Sequence, residues 1–378
     1  MLPCFKRTLL PIVQKLGTIE IRNNGTFTEL EDDNGELFRF LKLLDGKNTL
    51  NDLSIQMNLS IVDIQSVIHS LDELGFLEDA EVPSTYSPTE LERYRSNLNY
   101  FSGFSSITKD KYSYQDKLKN SKIVILGLGG GCLIGAYLAG LGIGEIIGVD
   151  FDVVERSNLN RQFLYNEKDV GRLKSEVAEE KIKAINPEIK VKMLNKYIDS
   201  YESLLEILSG ATAVISMLDQ PSIISTRWVN AACVVLGIPY YSGGINHNTI
   251  KVERYIPENN EPCYDCKLIN SLNDSTDMIA RIKTTYGSVL SGVNTGFASN
   301  LSLLVSFIIN DVTNLITNLH PMMKPVLTID LKTMEVSQMA LDFTQNNDCP
   351  TCNSEGFKNL SSLDDLISIS FRKEGSLL

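Results

Sequence analysis

Ile123-Val124-Ile125-Leu126-Gly127-Leu128-Gly129-Gly130-Gly131 is an apolar run of strand length that breaks into glycines and continues as a helical pattern. A strand that turns on glycine into a helix leaves backbone N–H groups open at the helix start. The helix dipole favours anions there, and glycines let the backbone come close to phosphates without Cβ clashes. Further on, Glu145–Asp150 (EIIGVD), Lys190–Leu194 and Ala213–Leu218 (AVISML) read as strands, with helical stretches between them. That alternation predicts an α/β, Rossmann-like domain with a mainly parallel sheet covered by helices. Asp150 closes the second strand, where a carboxylate can accept hydrogen bonds from ribose hydroxyls. Taken alone, the turn fits a nicotinamide-dependent dehydrogenase as well.

The residues that follow separate the two. Asp152 comes two residues after Asp150, then Ser157-Asn158-Leu159-Asn160-Arg161-Gln162, then Val170-Gly171-Arg172-Leu173-Lys174. A hydride carrier has no need of two cations at this strand end. A triphosphate does, with Arg161 gripping phosphate oxygens bidentately and Lys174 supplying a point charge. Ile215-Ser216-Met217-Leu218-Asp219 sets a carboxylate at the end of another apolar strand. Beside phosphates, such a group most simply holds Mg²⁺.

Four of the seven cysteines form two CxxC motifs: Cys263 and Cys266 within PCYDC (262–266), and Cys349 with Cys352. Two such knuckles supply the four thiolates of a closed tetrahedral Zn²⁺ site, which holds a fold and keeps no open coordination position. Cys4, Cys132 and Cys233 are too scattered to indicate disulfides. Cysteines paired this way in a chain with no export signal fit a reducing cytoplasm.

At 378 residues, 43% hydrophobic and 22% charged, the chain is of ordinary globular composition with a sizeable core. A net charge of −12 argues against a general nucleic-acid binder. No membrane span is expected; Leu301–Ile309 is apolar but short, closed by Asn310 and Asp311, and reads as a buried helix. Residues 1–82 look like a separate small α+β module. Ile19–Ile21 and Thr26–Thr28 flank Asn23-Asn24-Gly25 as a hairpin, followed by helical patterns at Gly35–Leu44, Leu50–Met57 and Ile61–Gly75 and the start of a wing strand at Phe76-Leu77-Glu78. Residues 83–120, polar with Pro83, Pro88 and five tyrosines, read as a linker followed by an arm.

The nucleotide motifs together with the trailing knuckles resemble the ThiF/MoeB/E1 superfamily of ATP-dependent adenylating enzymes over residues 91–355. The resemblance implies that Asp150 binds ribose, that Asn158, Arg161, Gln162 and Lys174 bind phosphates, and that Asp219 is the Mg²⁺ ligand. Gly127, Gly129, Gly130, Gly131 and Asp152 complete the implied ATP site. The family turn is GxGGxG; GLGGGC here reads as one residue short, so Gly131 is expected to take the part of the third glycine. Arg93-Tyr94-Arg95-Ser96-Asn97 resembles the family's RYxRQ arm, whose second Arg reaches the ATP of a partner subunit. The spacing leaves that part to Arg95 or Arg93 and implies a homodimer.

LLDGKNTLNDLS followed by LDELGFLED resembles the winged-helix leader-recognition module of enzymes that mature ribosomally made peptides, which take up the leader as an added strand. A DNA-binding winged helix is disfavoured because the third helix carries few Lys or Arg. No Cys lies between Lys267 and Asn300, and Cys233 sits in an apolar helix pattern, so a covalent thioester relay is not expected. His247 lies in a loop after Gly243-Gly244-Ile245; His69 and His320 point to no chemistry. These features together imply adenylation of a carboxylate or amide in a precursor peptide, with ring closure as a further step. Two alternatives stand beside it: a non-catalytic leader-binding partner of a cyclodehydratase, and an activator of a ubiquitin-like or sulfur-carrier protein. Residues 356–378 form a C-terminal tail in which Leu360–Phe371 reads as a short strand or helix.

Overall fold

The computed structural model describes residues 1–378 except 24, 221–222, 258–260, 275–295, 342–343 and 353–378. The C-terminal tail and much of the Lys267–Asn300 stretch therefore lie outside the described residues. The chain forms two compact units, Met1–Lys117 and Leu118–Leu378.

The first unit runs β1 (Pro3–Phe5), β2 (Val13–Lys15), β3 (Thr18–Asn23), β4 (Thr26–Glu31), α1 (Glu36–Leu43), α2 (Leu50–Met57), α3 (Ile61–Glu73), β5 (Leu77–Asp79), α4 (Pro88–Arg93), α5 (Arg95–Ser102) and α6 (Tyr112–Lys119). β3 and β4 pair antiparallel with Asn23 opposite Thr26, as a two-residue turn demands, and Gly25 takes the φ of +84° that such a turn needs. Thr49 and Asp52 form a capping box at the start of α2, and Ser60 caps α3. Phe40, Leu53, Ile64, Ile68 and Leu71 from the three helices bury against Ile19 and Ile21 of β3. The strand expected as the start of a wing is β5, and its partner is β1.

Residues 83–120 differ most from expectation. They carry helices where a linker was expected, because Ser87 and Glu90 make a reciprocal capping box with Pro88 at the first helical position. Tyr86, Tyr94, Leu98 and Tyr112 bury together over these helices. The Lys6 ammonium, itself buried, donates to the carbonyls of Gly75 at 2.8 Å and Ser105 at 2.7 Å, and Lys111 pairs with Glu78 at 2.9 Å. This stretch is thus fastened to the strand–helix module beside β5. Burial lowers the pKa of Lys6 below that of a free lysine.

The second unit is built on one eight-stranded sheet. In chain order it contains β6 (Lys122–Leu126), α7 (Gly131–Leu141), β7 (Glu145–Val149), α8 (Lys174–Ile185), β8 (Lys190–Leu194), α9 (Glu202–Leu208), β9 (Ala213–Ser216), α10 (Ile224–Leu236), β10 (Tyr240–Ile245), β11 (Thr249–Tyr255), α11 (Tyr264–Asp274), α12 (Ala298–Thr317), β12 (Val326–Asp330) and β13 (Val336–Met339). The strand order is β13-β12-β11-β10-β9-β6-β7-β8. β10, β9, β6, β7 and β8 are parallel, and β11 to β13 extend the sheet antiparallel. The antiparallel half follows from chain length, because only Asn246–Asn248 join β10 to β11 and a parallel return needs a crossover of a dozen residues or more. α7, α8 and α12 pack together, as do α9, α10 and α11, and Val124, Leu126, Val149 and Val214 of the parallel strands are buried.

α12 is longer than the Leu301–Ile309 helix expected. Asn310 and Asp311 do not close it; they lie inside it. Asp311 is buried there, accepting from Arg254 Nη1 at 2.8 Å, Tyr241 OH at 3.1 Å and Met323 N at 2.6 Å. Those donors offset the desolvation of the carboxylate and let the helix run through it. By length and composition α12 passes as a membrane span, but half of it is buried against β10, β11 and α7.

Candidate functional site

A cavity of about 820 Å³ opens where the parallel strands end, lined by residues that follow β6, β7, β8 and β9 and by the last residues of β10. The location obeys a general rule: in an open α/β sheet, ligands bind outside the carboxyl ends of the strands. Gly127, Gly129, Gly130, Asp150, Asp152, Asn158, Arg161, Gln162, Lys174 and Asp219 all line it. Ten of the residues singled out from sequence are thus brought to one place. Gly131 lies just behind them as the first residue of α7, and Arg95 belongs to the first unit, where it is exposed at the start of α5.

The Gly-rich turn is tightly held. Gly127 has φ +88°, and a Cβ there would lie 3.0 Å from the Met217 carbonyl. At Gly130 a Cβ would meet the Met217 side chain at 2.7 Å. No side chain caps α7, so its first N–H groups remain available at the cavity. GLGGGC has six positions, as the family turn does; the departure is Cys132 at the last of them, not a missing residue. Cys132 is fully buried behind the turn, and burial pushes its thiol up to about 12. It therefore leaves the cradle itself unchanged.

Asp150 turns both carboxylate oxygens back on the chain, accepting from Leu128 N at 2.6 Å and Asp152 N at 2.8 Å. It fixes the turn, and its remaining lone pairs are what it can offer a sugar. Leu128 is held from its other side as well, because Tyr165 OH donates to its carbonyl at 2.9 Å and lies 3.5 Å from the Lys174 carbonyl. Tyr165 was not picked out from sequence, and its spacing carries no motif. Replacing it with Phe leaves the buried Leu128 carbonyl unpaired, at an expected cost of about 1–3 kcal/mol in a urea titration.

Lys174 begins α8 as a buried cation, its side chain 8% exposed, and pairs with the half-exposed Asp152 at 3.0 Å. Arg161 donates to the Ser157 carbonyl at 3.1 Å and Asn160 Oδ1 at 2.9 Å, which leaves further guanidinium donors for a ligand. Asn158 caps its own turn by accepting from Glu155 N. Gln162 is buried with Oε1 lacking a hydrogen-bond partner, a group that a ligand in the cavity would satisfy. Asp219 is exposed at the rim. The walls also contain groups that sequence did not reveal: Phe151 and Tyr197 stand edge to face with centroids 4.8 Å apart, beside Lys196. Gly243, Gly244, Leu301 and Leu304 line it too, whereas His247 is an exposed loop residue outside the lining.

The sulfurs of Cys263, Cys266, Cys349 and Cys352 all lie within 4.8 Å of one another, with separations of 4.0, 3.6 and 3.6 Å for three pairs. A tetrahedron with Zn–S bonds of about 2.3 Å has edges of about 3.8 Å, so the four donors fit that ion. The cluster is braced by residues that sequence gave no sign of. Arg227, on α10, donates through Nε and Nη2 to the two oxygens of Asp265, each at 3.0 Å, and Thr351 Oγ1 donates to Asp265 at 2.7 Å. Both members of this ion pair are fully buried. Cys233 is buried in α10 as expected, with its thiol held well above its ordinary value by burial.

The sequence profile of the ThiF family matches residues 97–351. The molybdopterin-synthase adenylyltransferase of Salmonella typhimurium is 35% identical over 153 residues, a match covering 40% of this chain and 60% of that enzyme. The chain thus spans about three fifths of the length of that curated relative. The SAMP-activating enzyme E1 of Haloferax volcanii is 28% identical over 252 residues, 66% of this chain and 87% of that protein. Among solved structures, Escherichia coli MccB with AMPCPP and MccA superposes with a TM-score of 0.70 over 93% of this chain and all of that one, at 23% identity. PaaA superposes with a TM-score of 0.63 over 74% of this chain and 92% of its own, also at 23% identity. At those identities the two superpositions speak for fold alone.

Proposed function

This chain belongs to the ThiF family, and from that premise we propose that it is an ATP-dependent adenylating enzyme that matures a ribosomally made precursor peptide. The observation that carries the reading is the convergence of Lys174, Arg161, Asp219 and the orphaned Gln162 Oε1 on one cavity over an uncapped helix start. In the reaction a peptide carboxylate or amide oxygen attacks the α-phosphorus of ATP. The new bond is O–P, the bond to the β-phosphate oxygen breaks, and pyrophosphate leaves with the electron pair. Positioning and charge supply the catalysis: Arg161 and Lys174 face charge that develops on the phosphate oxygens. No protein nucleophile is required, in keeping with a Lys267–Asn300 stretch that has no Cys.

Mg²⁺ would be held by Asp219 together with the phosphates, as is usual for an ion that keeps few protein ligands. When bound, it neutralises charge on the leaving pyrophosphate. The fit rests on charge balance, since Asp150, Asp152, Glu155 and Asp219 outnumber Arg161, Lys174 and Lys196 in the lining. Zn²⁺ at the four cysteines would be structural. The winged-helix reading of residues 1–82 gives the leader peptide a place to add as a strand, and it is supported by β4 standing at an edge of its sheet. Arg93 and Arg95 are both exposed and would serve a second subunit of a homodimer. The reading places the enzyme in the cytoplasm, where ATP is supplied.

A second reading, activation of a sulfur-carrier protein, is favoured by the names of curated relatives such as the Escherichia coli ThiS adenylyltransferase. Pyrophosphate release from ATP and Mg²⁺ tests both. Release that depends on a precursor peptide, with a product of altered peptide mass, is the expected result. Release that depends on a small carrier protein instead would select the second reading. Tight leader binding with no release under any condition would make this a peptide-delivery partner.

A further inference from the structure

A second cavity, of about 130 Å³, lies behind the cysteine cluster between α10, the end of β11 and the two knuckles. Buried water occupies about 10–15 Å³ of such volume per molecule and makes some three hydrogen bonds to groups otherwise unsatisfied. Three of the residues that line this space carry such groups. Asn230 is fully buried, and its Oδ1 accepts from Tyr264 N and Tyr240 OH, both at 2.9 Å. A main-chain N–H can only donate, so the amide orientation is fixed and Nδ2, which has no partner, is left over. Tyr255, 2% exposed, has an unpartnered hydroxyl, and Glu261 has a buried unpartnered Oε2. The chamber therefore offers donors and acceptors together, with the Tyr255 ring (stacked on Tyr240 at 5.0 Å) as its wall.

Cys263 and Cys352 line the same chamber, and Cys352 is the one knuckle sulfur that is not fully buried. Gln345 lies in the lining and is exposed, so it stands at the mouth. We propose that this chamber is hydrated and is the route by which metal enters and leaves the four-cysteine site, with Cys352 the first sulfur exchanged. The inference rests on the reading of that site as a zinc site. Water bound to Asn230 and Tyr255 can donate to the outer thiolates, which weakens their hold on the ion and admits a competing ligand from one side only.

The test is zinc transfer from the metal-loaded full chain to a chromogenic chelator, followed by stopped flow. Gln345→Trp fills the mouth at an exposed position that the fold does not depend on, and Tyr255→Phe removes one orphaned hydroxyl. Zinc content per chain is expected to stay the same while release slows about tenfold in Gln345→Trp. Release in Tyr255→Phe is expected to slow by a smaller factor. Unchanged release in both variants would overturn the route, as would a high-resolution crystal structure with no ordered water on Asn230 Nδ2 or the Tyr255 hydroxyl. A chain that binds no zinc overturns the metal reading itself, and metal content measured before mixing separates that outcome from the others.

Discussion

Asp219→Ala is expected to lower peptide-dependent pyrophosphate release by about 10²–10³-fold, the usual loss when one group that stabilises transition-state charge is removed. Asp219 is exposed and its carboxylate has no hydrogen-bond or ion-pair partner among the described residues, so the thermal midpoint should not move. Lys174→Ala should cost as much. The carboxylate it abandons, Asp152, is half-exposed, so its loss of a partner is answered by water. The two changes act on one charge cluster, and the double variant should fall well short of the product of the single losses. A variant of either kind that kept full release would sink the assignment of this cavity as the reaction centre.

Asp265→Ala is expected to have the largest effect on stability. It removes the carboxylate that accepts two hydrogen bonds from the fully buried Arg227 guanidinium, and breaking a buried pair from one side costs about 3–5 kcal/mol. It also takes the acceptor from Thr351, one of the two residues between Cys349 and Cys352, and so loosens the second knuckle. At this chain size each kcal/mol moves the midpoint by about 2–4 °C, and calorimetry reads the drop directly. Pairing it with Arg227→Met should recover part of the loss, because two apolar groups in place of a buried ion pair cost little. A double variant less stable than Asp265→Ala alone would mean that Arg227 supports the fold by some means other than its pairing.

The parallel core was legible because β6, β7 and β9 are near-continuous apolar runs, as fully buried strands must be, and because Gly127–Gly131 break the first of them into a helix. Arg161, Lys174 and Asp219 could be singled out because each follows a strand end at a readable distance, and the fold brings all three to the lining of one cavity. The helices within residues 83–120 were not foreseen from polarity, although Ser87-Pro88-Thr89-Glu90 carries a helix-start signal. The antiparallel half of the sheet was missed because β11 and β12 alternate in burial and lack the solid apolar pattern of the others. Arg227 with Asp265, and Phe151 with Tyr197, could not be read at all. Each pair is far apart along the chain and meets only through tertiary packing.

The two knuckles are separated by 86 residues, as the Cys263–Cys349 and Cys266–Cys352 contacts record. During synthesis the first pair of thiols therefore emerges well before the second. At about 5–20 residues per second, roughly 4–17 s pass before Cys349 and Cys352 are made. For that interval the nascent chain carries only the first two of the four sulfurs that the fold brings together. Completion of the four-cysteine cluster is thus a late, long-range event in translation, and an ion held there would meet its full set of sulfurs only once the last knuckle is made.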